Sequence, residues 1–306
     1  MCAESLQAMA DSGDPILDVC IVSWRSRDLL RRCLRAVVGQ PEVAEIVVVD
    51  NASSDGTVEM VRGEFPTVRL IANESNEGFA AGNNQAIRAT RSPFVLLLNP
   101  DAEVHAGALG AILNVFAEEE RIGAVAAQLI LPDGAVQRSC RGFPEPAAIA
   151  AEAIGLARLF RSREGLGAYR MRFWDHNSRR DVDQPMASAL ALRRAALDQV
   201  GSFDESFPLY FNDVDLCYRL KQAGWRIVFE PKAKVTHHYG QSSTWQVRPS
   251  AILQSHRSLI RFYRQHYRGR ICPCEYGLVV AAAWLTMWPR AGLAWLRGLP
   301  RPRRGR

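Results

Sequence analysis

Four short stretches carry side chains that can do chemistry. In Val48-Val49-Asp50-Asn51-Ala52-Ser53-Ser54-Asp55-Gly56-Thr57 a carboxylate stands where an apolar run stops. An acid at the end of a buried strand can accept hydrogen bonds from ribose hydroxyls or from the N–H edge of a base. Residues 51–56 also have the composition of a plain turn and helix cap. In Leu96-Leu97-Leu98-Asn99-Pro100-Asp101 a second carboxylate leaves an apolar run, which is costly unless something cationic meets it. Mg²⁺ or Mn²⁺ needs few protein carboxylates when substrate phosphates and water complete its shell, so one acid suffices; capping a following helix is the competing use. In Tyr210-Phe211-Asn212-Asp213-Val214-Asp215-Leu216-Cys217-Tyr218-Arg219 two acids sit at a helix entrance. One can be a general base while the other caps the helix or pairs with Arg219 four residues on; both as caps is the alternative. Finally His237-His238 follows a strand-like run, where an imidazole can join a diphosphate-bound metal or simply pack.

The elements that must position these groups follow from periodicity. Asp18 to Ser23, Glu45 to Val49, Val68 to Ile71 and Pro93 to Leu98 read as short buried strands. Between them Asp28 to Val38, Thr57 to Arg62 and Gly82 to Thr90 read as helices. Strands alternating with helices imply a parallel sheet with ligands at its carboxyl ends, which puts Ser23, Asp50 and Asp101 on one rim. Further on, Ala147 to Phe160, Arg193 to Val200 and Leu216 to Ala223 read as helices and Arg226 to Phe229 as a strand. Gly165-Leu166-Gly167 is not a dinucleotide fingerprint, because Arg170 occupies the third glycine's place and no strand precedes it.

Composition bounds the rest. With 48% hydrophobic and 23% charged residues the chain is globular rather than disordered. No run of eighteen apolar residues occurs, and the first fifteen residues lack the basic and apolar regions of a secretion signal. Seven cysteines do not form a disulfide pattern, so a reducing cytoplasmic setting is expected. Charge is uneven: residues 241–306 hold twelve arginines and one acid, Glu275, a local +11 within an overall +6. Tyr276 to Leu299 is apolar apart from Arg290 and Arg297, with tryptophans at 284, 288 and 295, and Pro289 is expected to break it. An interfacial element fits this better than a spanning one, with Arg301, Arg303, Arg304 and Arg306 against anionic headgroups.

In this order the motifs VSWRSRDLLRRCL, VVVDNASSDGT, NEGFAAGNN, LLLNPDAEV, QPMASALALRR, GSFDESFPLYFNDVDLCYRL and HHYGQSS resemble family 2 glycosyltransferases of GT-A fold, in particular the bacterial rhamnosyltransferase-like branch. The resemblance covers about residues 18–266. It implies a Rossmann-like, mostly parallel α/β sheet flanked by helices, with a helical C-terminal extension. The expected division is a flexible N-terminus over 1–15, a catalytic domain over 16–240 (nucleotide-sugar half 16–135, acceptor half 136–240) and a basic, aromatic-rich helical region over 241–306. It further implies that Ser23 and Asp50 hold the nucleotide, that Asn76, Gly78 and Asn83 line the nucleotide-sugar pocket, and that Asp101 and His237 hold Mg²⁺ or Mn²⁺. Asp213 is then the catalytic base of an inverting transfer from a nucleoside-diphosphate sugar to a glycan or lipid-linked acceptor, for cell-surface polysaccharide, at the inner membrane face. Rhamnose on thymidine diphosphate is the first expectation for the donor. Asn99 and Asn212 stand where acids are common, and Ala187-Ser188 where Gly-Ala is usual. The alternative is therefore an inactive relative that binds carbohydrate or membrane. A sugar-nucleotide-making enzyme is disfavoured because residues 16–30 hold no glycine. No nicotinamide or nucleic-acid module is recognisable.

Overall fold

A computed structural model describes residues 15–153, 169–171, 173–207, 209–238 and 249–298. The expected flexible N-terminus lies almost wholly outside these residues, as do the Gly165-Leu166-Gly167 segment, Tyr239 to Ser243 of the histidine motif, and the four terminal arginines.

The first half alternates as its periodicity predicts: β1 (Leu17–Ser23), α1 (Arg27–Val37), β2 (Val43–Asp50), α2 (Thr57–Glu64), β3 (Arg69–Ala72), α3 (Gly78–Ala89) and β4 (Phe94–Leu98). β1 pairs in parallel with β2 and β4, and β2 with β3. After them come β5 (Ala102–Val104), α4 (Ala108–Glu118), β6 (Ile122–Ile130), β7 (Cys140–Arg141), α5 (Pro146–Ala153), β8 (Arg180–Asp181), β9 (Gln184–Pro185), β10 (Ala189–Arg193), α6 (Arg194–Val200), α7 (Asn212–Gln222) and β11 (Arg226–His237). Two long helices follow, α8 (Pro249–His266) and α9 (Pro273–Gly298).

The main sheet runs β3-β2-β1-β4-β10-β6-β11-β5, with β8 added beside β11. Its longest pairings are parallel, but β10 lies antiparallel between β4 and β6. Successive side chains of a strand leave opposite faces. Val19, Ile21, Val48, Leu96 and Leu98 therefore join one core with Leu30 and Leu34 of α1 and Ile112 of α4. Cys20, Val47, Val49, Val95 and Leu97 join the other, with Ile87 of α3 and Leu216 and Leu220 of α7. Covering both faces explains why these strands are apolar throughout rather than alternating.

Several features depart from the sequence reading, among them α3, which begins at Gly78 rather than Gly82. α4 and β6, not anticipated, complete the second half of the sheet. α7 begins at Asn212 rather than Leu216, because Phe211 adopts φ +69° and lets the chain turn straight into the helix. β11 runs on past Phe229 to His237. Pro289 does not break α9. Its missing N–H removes one bond, to the Leu285 carbonyl, and Leu285 is 75% exposed, so water can take that carbonyl.

Candidate active site

Register brings three strand ends to one rim. Ser23 pairs with Asp50, and Ile21 with Leu98, so β1, β2 and β4 finish side by side. Ser23 is buried; its hydroxyl lies 2.9 Å from that of Ser26, and its carbonyl accepts the Asn51 N–H at 2.8 Å. The buried Asp50 accepts the Ser53 N–H through Oδ2 at 2.8 Å. Its Oδ1 is buried with no hydrogen-bond partner among the described residues. Orphaned buried acceptors are rare and usually mark a ligand or water position.

The rest of that motif is scaffolding. Ser53 accepts the Arg25 N–H, and Asp55 accepts N–H groups from Arg27 and Thr57, so these residues stitch the β1 and β2 loops together and cap α2. Across the rim, Asn51 donates to the Gly78 carbonyl at 3.1 Å and accepts from Asn73. Gly78 has φ +88°, and its N–H is taken by Asn76 Oδ1 at 2.9 Å. A Cβ on Gly82 would lie 2.8 Å from Val22, which is why glycine lets α3 press against β1. Asn83, one turn inside α3, is buried and donates to the Phe79 carbonyl. Ser23, Asp50 and Gly78 thus share one wall, Asn76 stands on its exposed loop, and Asn83 lies beneath it.

Asp101 follows β4, and the strand pairing after it decides its neighbour. β5 runs antiparallel to the end of β11, so Ala102 faces His237 and the His238 N–H reaches the Asp101 carbonyl at 2.8 Å. Both side chains are buried, with His237 Nε2 3.3 Å from Asp101 Oδ1. Gln137 Oε1 lies 2.8 Å from His237 Nδ1, while the Gln137 amide nitrogen faces Met186 Sδ. An amide oxygen can only accept, so Nδ1 carries a proton and, in the neutral ring, Nε2 turns its lone pair to the carboxylate. Two acceptors that close call for a proton or a metal cation between them. One carboxylate and one imidazole suit Mg²⁺ or Mn²⁺ that takes its remaining ligands from phosphate and water. Among the described residues no group of three or more His, Cys, Asp or Glu could hold a metal on its own. Asp101 is not a helix cap, since α4 is capped by Gly107. Asn99 binds the Ser188 carbonyl through its N–H and the Ser188 hydroxyl through its amide.

That contact leads to the second half. Ala187, next to Ser188, presents its amide to Asp213 in the first turn of α7. Asp213 is half-buried and also accepts the Val214 N–H at 2.9 Å. Burial pushes its carboxyl above the ordinary carboxylate value, against the opposing pull of the two amides and of Arg141. Asp215 has another job. Wholly buried, it meets Arg219 Nε at 2.8 Å and His266 Nε2 at 2.7 Å, while Arg219 also donates to the carbonyls of Val200, Gly201 and Ser202. The motif's acids therefore divide: Asp213 meets the Ala187 amide beside Ser188, and Asp215 ties α7 to α6 and α8.

The family profile described as "Glycosyltransferase like family 2" matches residues 15–264, ending within α8. The chain belongs to glycosyltransferase family 2. This family 2 glycosyltransferase is 29% identical over 296 residues to the N-acetylglucosaminyl-diphospho-decaprenol L-rhamnosyltransferase of Mycobacterium tuberculosis, covering 92% of this chain and 90% of that protein. It is 29% identical over 252 residues to succinoglycan biosynthesis protein ExoU of Rhizobium meliloti, covering 79% and 66%. The mannosyltransferase PcManGT from Pyrobaculum calidifontis, solved in complex with GDP-Man and Mn²⁺, superposes with a TM-score of 0.55 at 17% identity, covering 98% of this chain and 87% of that one. That likeness confirms the GT-A fold: a mixed, mostly parallel sheet flanked by helices, with a helical C-terminal region. No helix among the described residues of the glycosyltransferase is long and apolar enough to cross a membrane. Gln137, Arg141 and His266 were not singled out from the sequence. Each lies far along the chain from the group it serves, Gln137 a hundred residues from His237, and no local motif marks it.

Proposed function

We propose that this glycosyltransferase moves L-rhamnose from a nucleoside-diphosphate donor to a hydroxyl of a lipid-linked glycan during cell-surface polysaccharide synthesis, with inversion at the anomeric carbon. The observation that supports it best is the buried Asp101–His237 pair, 3.3 Å apart just past the end of β4, with the orphaned Asp50 Oδ1 at the end of β2 on the same rim of strand ends. Asp50 and Ser23 receive the nucleoside, with Asn76, Gly78 and Asn83 shaping the pocket beside them. Asp101 and His237 hold Mg²⁺ or Mn²⁺, which when bound neutralises charge on the diphosphate leaving group. Asp213 takes the proton of the attacking acceptor hydroxyl, and its raised pKa makes it a better proton acceptor than an exposed carboxylate. Asp213 acting alone as base, with no carboxylate assigned as nucleophile, corresponds to a single displacement and hence inversion. The sugar and the acceptor class rest on the mycobacterial relative's name and the polysaccharide role on that of ExoU. Calorimetric titration with dTDP, UDP and GDP, with Mn²⁺ or chelator, tests the reading on wild type and Asp101→Ala. Metal-dependent binding of one diphosphate, lost in the variant, is expected; no diphosphate binding under any condition would refute it.

The enzyme works at an anionic membrane surface in this proposal, at its cytoplasmic face. α9 turns Leu278, Leu285, Trp288 and Trp295 outward, all more than half exposed, with Trp284 beside them at 47%. Tryptophan and arginine on one helix suit the headgroup boundary. Trp288→Ser with Trp295→Ser is expected to abolish flotation with phosphatidylglycerol vesicles, and unchanged flotation refutes the membrane contact.

A further inference from the structure

Beside the candidate catalytic base lies a cavity of about 340 Å³ that the transfer chemistry has not used. Its polar lining is Arg141, Arg170, Arg290 and His256, with Tyr169, Ser255 and Thr286. No carboxylate lines it among the described residues. Its apolar wall is Ile149, Leu259, Val279 and Ala283. Arg141 and Arg290 beside an apolar flank, with no acid among the described lining residues, suit an anion that carries a hydrocarbon. Arginine is also the residue best matched to phosphate oxygens, through paired N–H donors.

Two connections tie the cavity to the reaction. Phe211, which lines it, is the residue from which α7 starts, two positions before Asp213. Arg141, which also lines it, is close enough to Asp213 to act on its charge. The third wall comes from α9, whose Val279, Ala282, Ala283, Thr286 and Arg290 line it at helical spacing, Val279 and Ala283 buried and Arg290 exposed. The opposite side of the same helix carries the exposed Leu278, Leu285 and Trp288. An amphiphile lying in a membrane under α9 would therefore meet the cavity and the base in succession.

We propose that this cavity holds the diphosphate and first isoprenoid units of the lipid-linked acceptor, placing the acceptor sugar before Asp213. This deepens the reading above and rests on it for the identity of the reaction, not for the binding itself. The test uses the full chain and calorimetry with farnesyl diphosphate and, separately, inorganic pyrophosphate. Farnesyl diphosphate is expected to bind, at least tenfold tighter than pyrophosphate. Arg141→Gln with Arg290→Gln is expected to weaken it at least tenfold, as is Ala282→Trp, which fills the cavity and leaves every charge in place. Binding of the nucleoside diphosphate with Mn²⁺, measured on Arg290→Gln and Ala282→Trp, should not change. No farnesyl diphosphate binding, binding indifferent to both variants, or pyrophosphate binding as tightly overturns the proposal. Should farnesyl diphosphate bind as described while no nucleotide binds, the cavity stands and the donor-site reading falls.

Discussion

Asp213 and Asp215 are two residues apart on one helix, yet asparagine at each should do opposite things. Asp213→Asn keeps the shape and removes the proposed proton acceptor, so kcat should fall by about 10²–10⁴. Its stability should not fall with it. Burial raises the carboxyl's pKa in the folded state, so between the unfolded and folded values the native protein holds the extra proton. Stability contributed by this group therefore declines as pH rises through that window, and at neutral pH the ionised carboxylate opposes folding. The amide removes that cost, and Asp213→Asn should melt at or above the wild-type temperature.

Asp215→Asn should unfold more easily. Stripping one member from a buried ion pair typically costs about 3–5 kcal/mol. Here Arg219 keeps three backbone carbonyls, and the asparagine oxygen can still accept one bond. The loss should then be nearer one charge-assisted hydrogen bond, about 2–3 kcal/mol. At roughly 2–4 °C per kcal/mol, that is a fall of about 4–12 °C in Tm. Differential scanning calorimetry and single-turnover sugar transfer on the two variants read both quantities. An Asp213→Asn protein within tenfold of wild-type turnover, or an Asp215→Asn protein of wild-type Tm, would falsify the division of labour. The pH profile of the wild type adds a check: the acid limb of kcat/KM should lie above the ordinary carboxylate range.

Other perturbations probe the site and its frame. Asp50→Asn should weaken nucleoside-diphosphate binding about 10–100-fold in calorimetry, the loss of a hydrogen bond to a charged group, with Tm held. Gln137→Leu should raise the Mn²⁺ concentration for half-maximal activity about 10–100-fold, as loss of a metal ligand's orienting partner does, while saturating Mn²⁺ restores kcat. His176 is buried and stacked on Trp174 with centroids 4.0 Å apart, and its Nε2 accepts the Cys140 N–H. Burial holds its pKa down to about 4 from an ordinary 6.5, so stability should fall as pH drops from 6.5 towards 4. Urea unfolding across that range should show the slope in wild type and a flatter one in His176→Phe.

What the sequence revealed follows how local each feature is. β1 to β4 are runs of apolar residues ending in turn chemistry, so their periodicity and the rim position of Ser23, Asp50 and Asp101 could be read directly. The residues of β6 are equally apolar, but the strand's place in the sheet depends on β10 and β11, which pair with it across some 65 and 100 residues. Asp213 was legible as a motif. Its companions were not, because Ala187, Arg141 and His266 reach α7 from three separate segments. Asp55 and Asp50 show the limit of residue type: two acids in one loop, one spent on capping Thr57 and one left with an unmet acceptor.

The C-terminal helices show the same limit in the other direction. Composition marks residues 241–306 as a basic appendage, but α8 is built into the machinery. His266 completes the buried Asp215 pair. The Tyr263 hydroxyl donates to the Pro144 carbonyl, and that of Tyr267 to Glu145 at 2.7 Å. Phe262 and Tyr263 are fully buried in a cluster with Phe207, Val214 and Tyr218. Removing α8 would expose Val214, next to Asp213, and leave Asp215 with Arg219 alone. A chain ending at residue 240 should therefore be insoluble or molten by near-ultraviolet circular dichroism. One ending at residue 270, which keeps α8, should fold and still bind the nucleotide. The 270-residue chain lacks α9 and with it Val279, Ala283 and Arg290, so it should no longer bind farnesyl diphosphate. Equal folding and activity of the 240-residue chain would mean that Asp215 needs no partner from α8, and the coupling between the C-terminal helix and the catalytic turn would have to be abandoned.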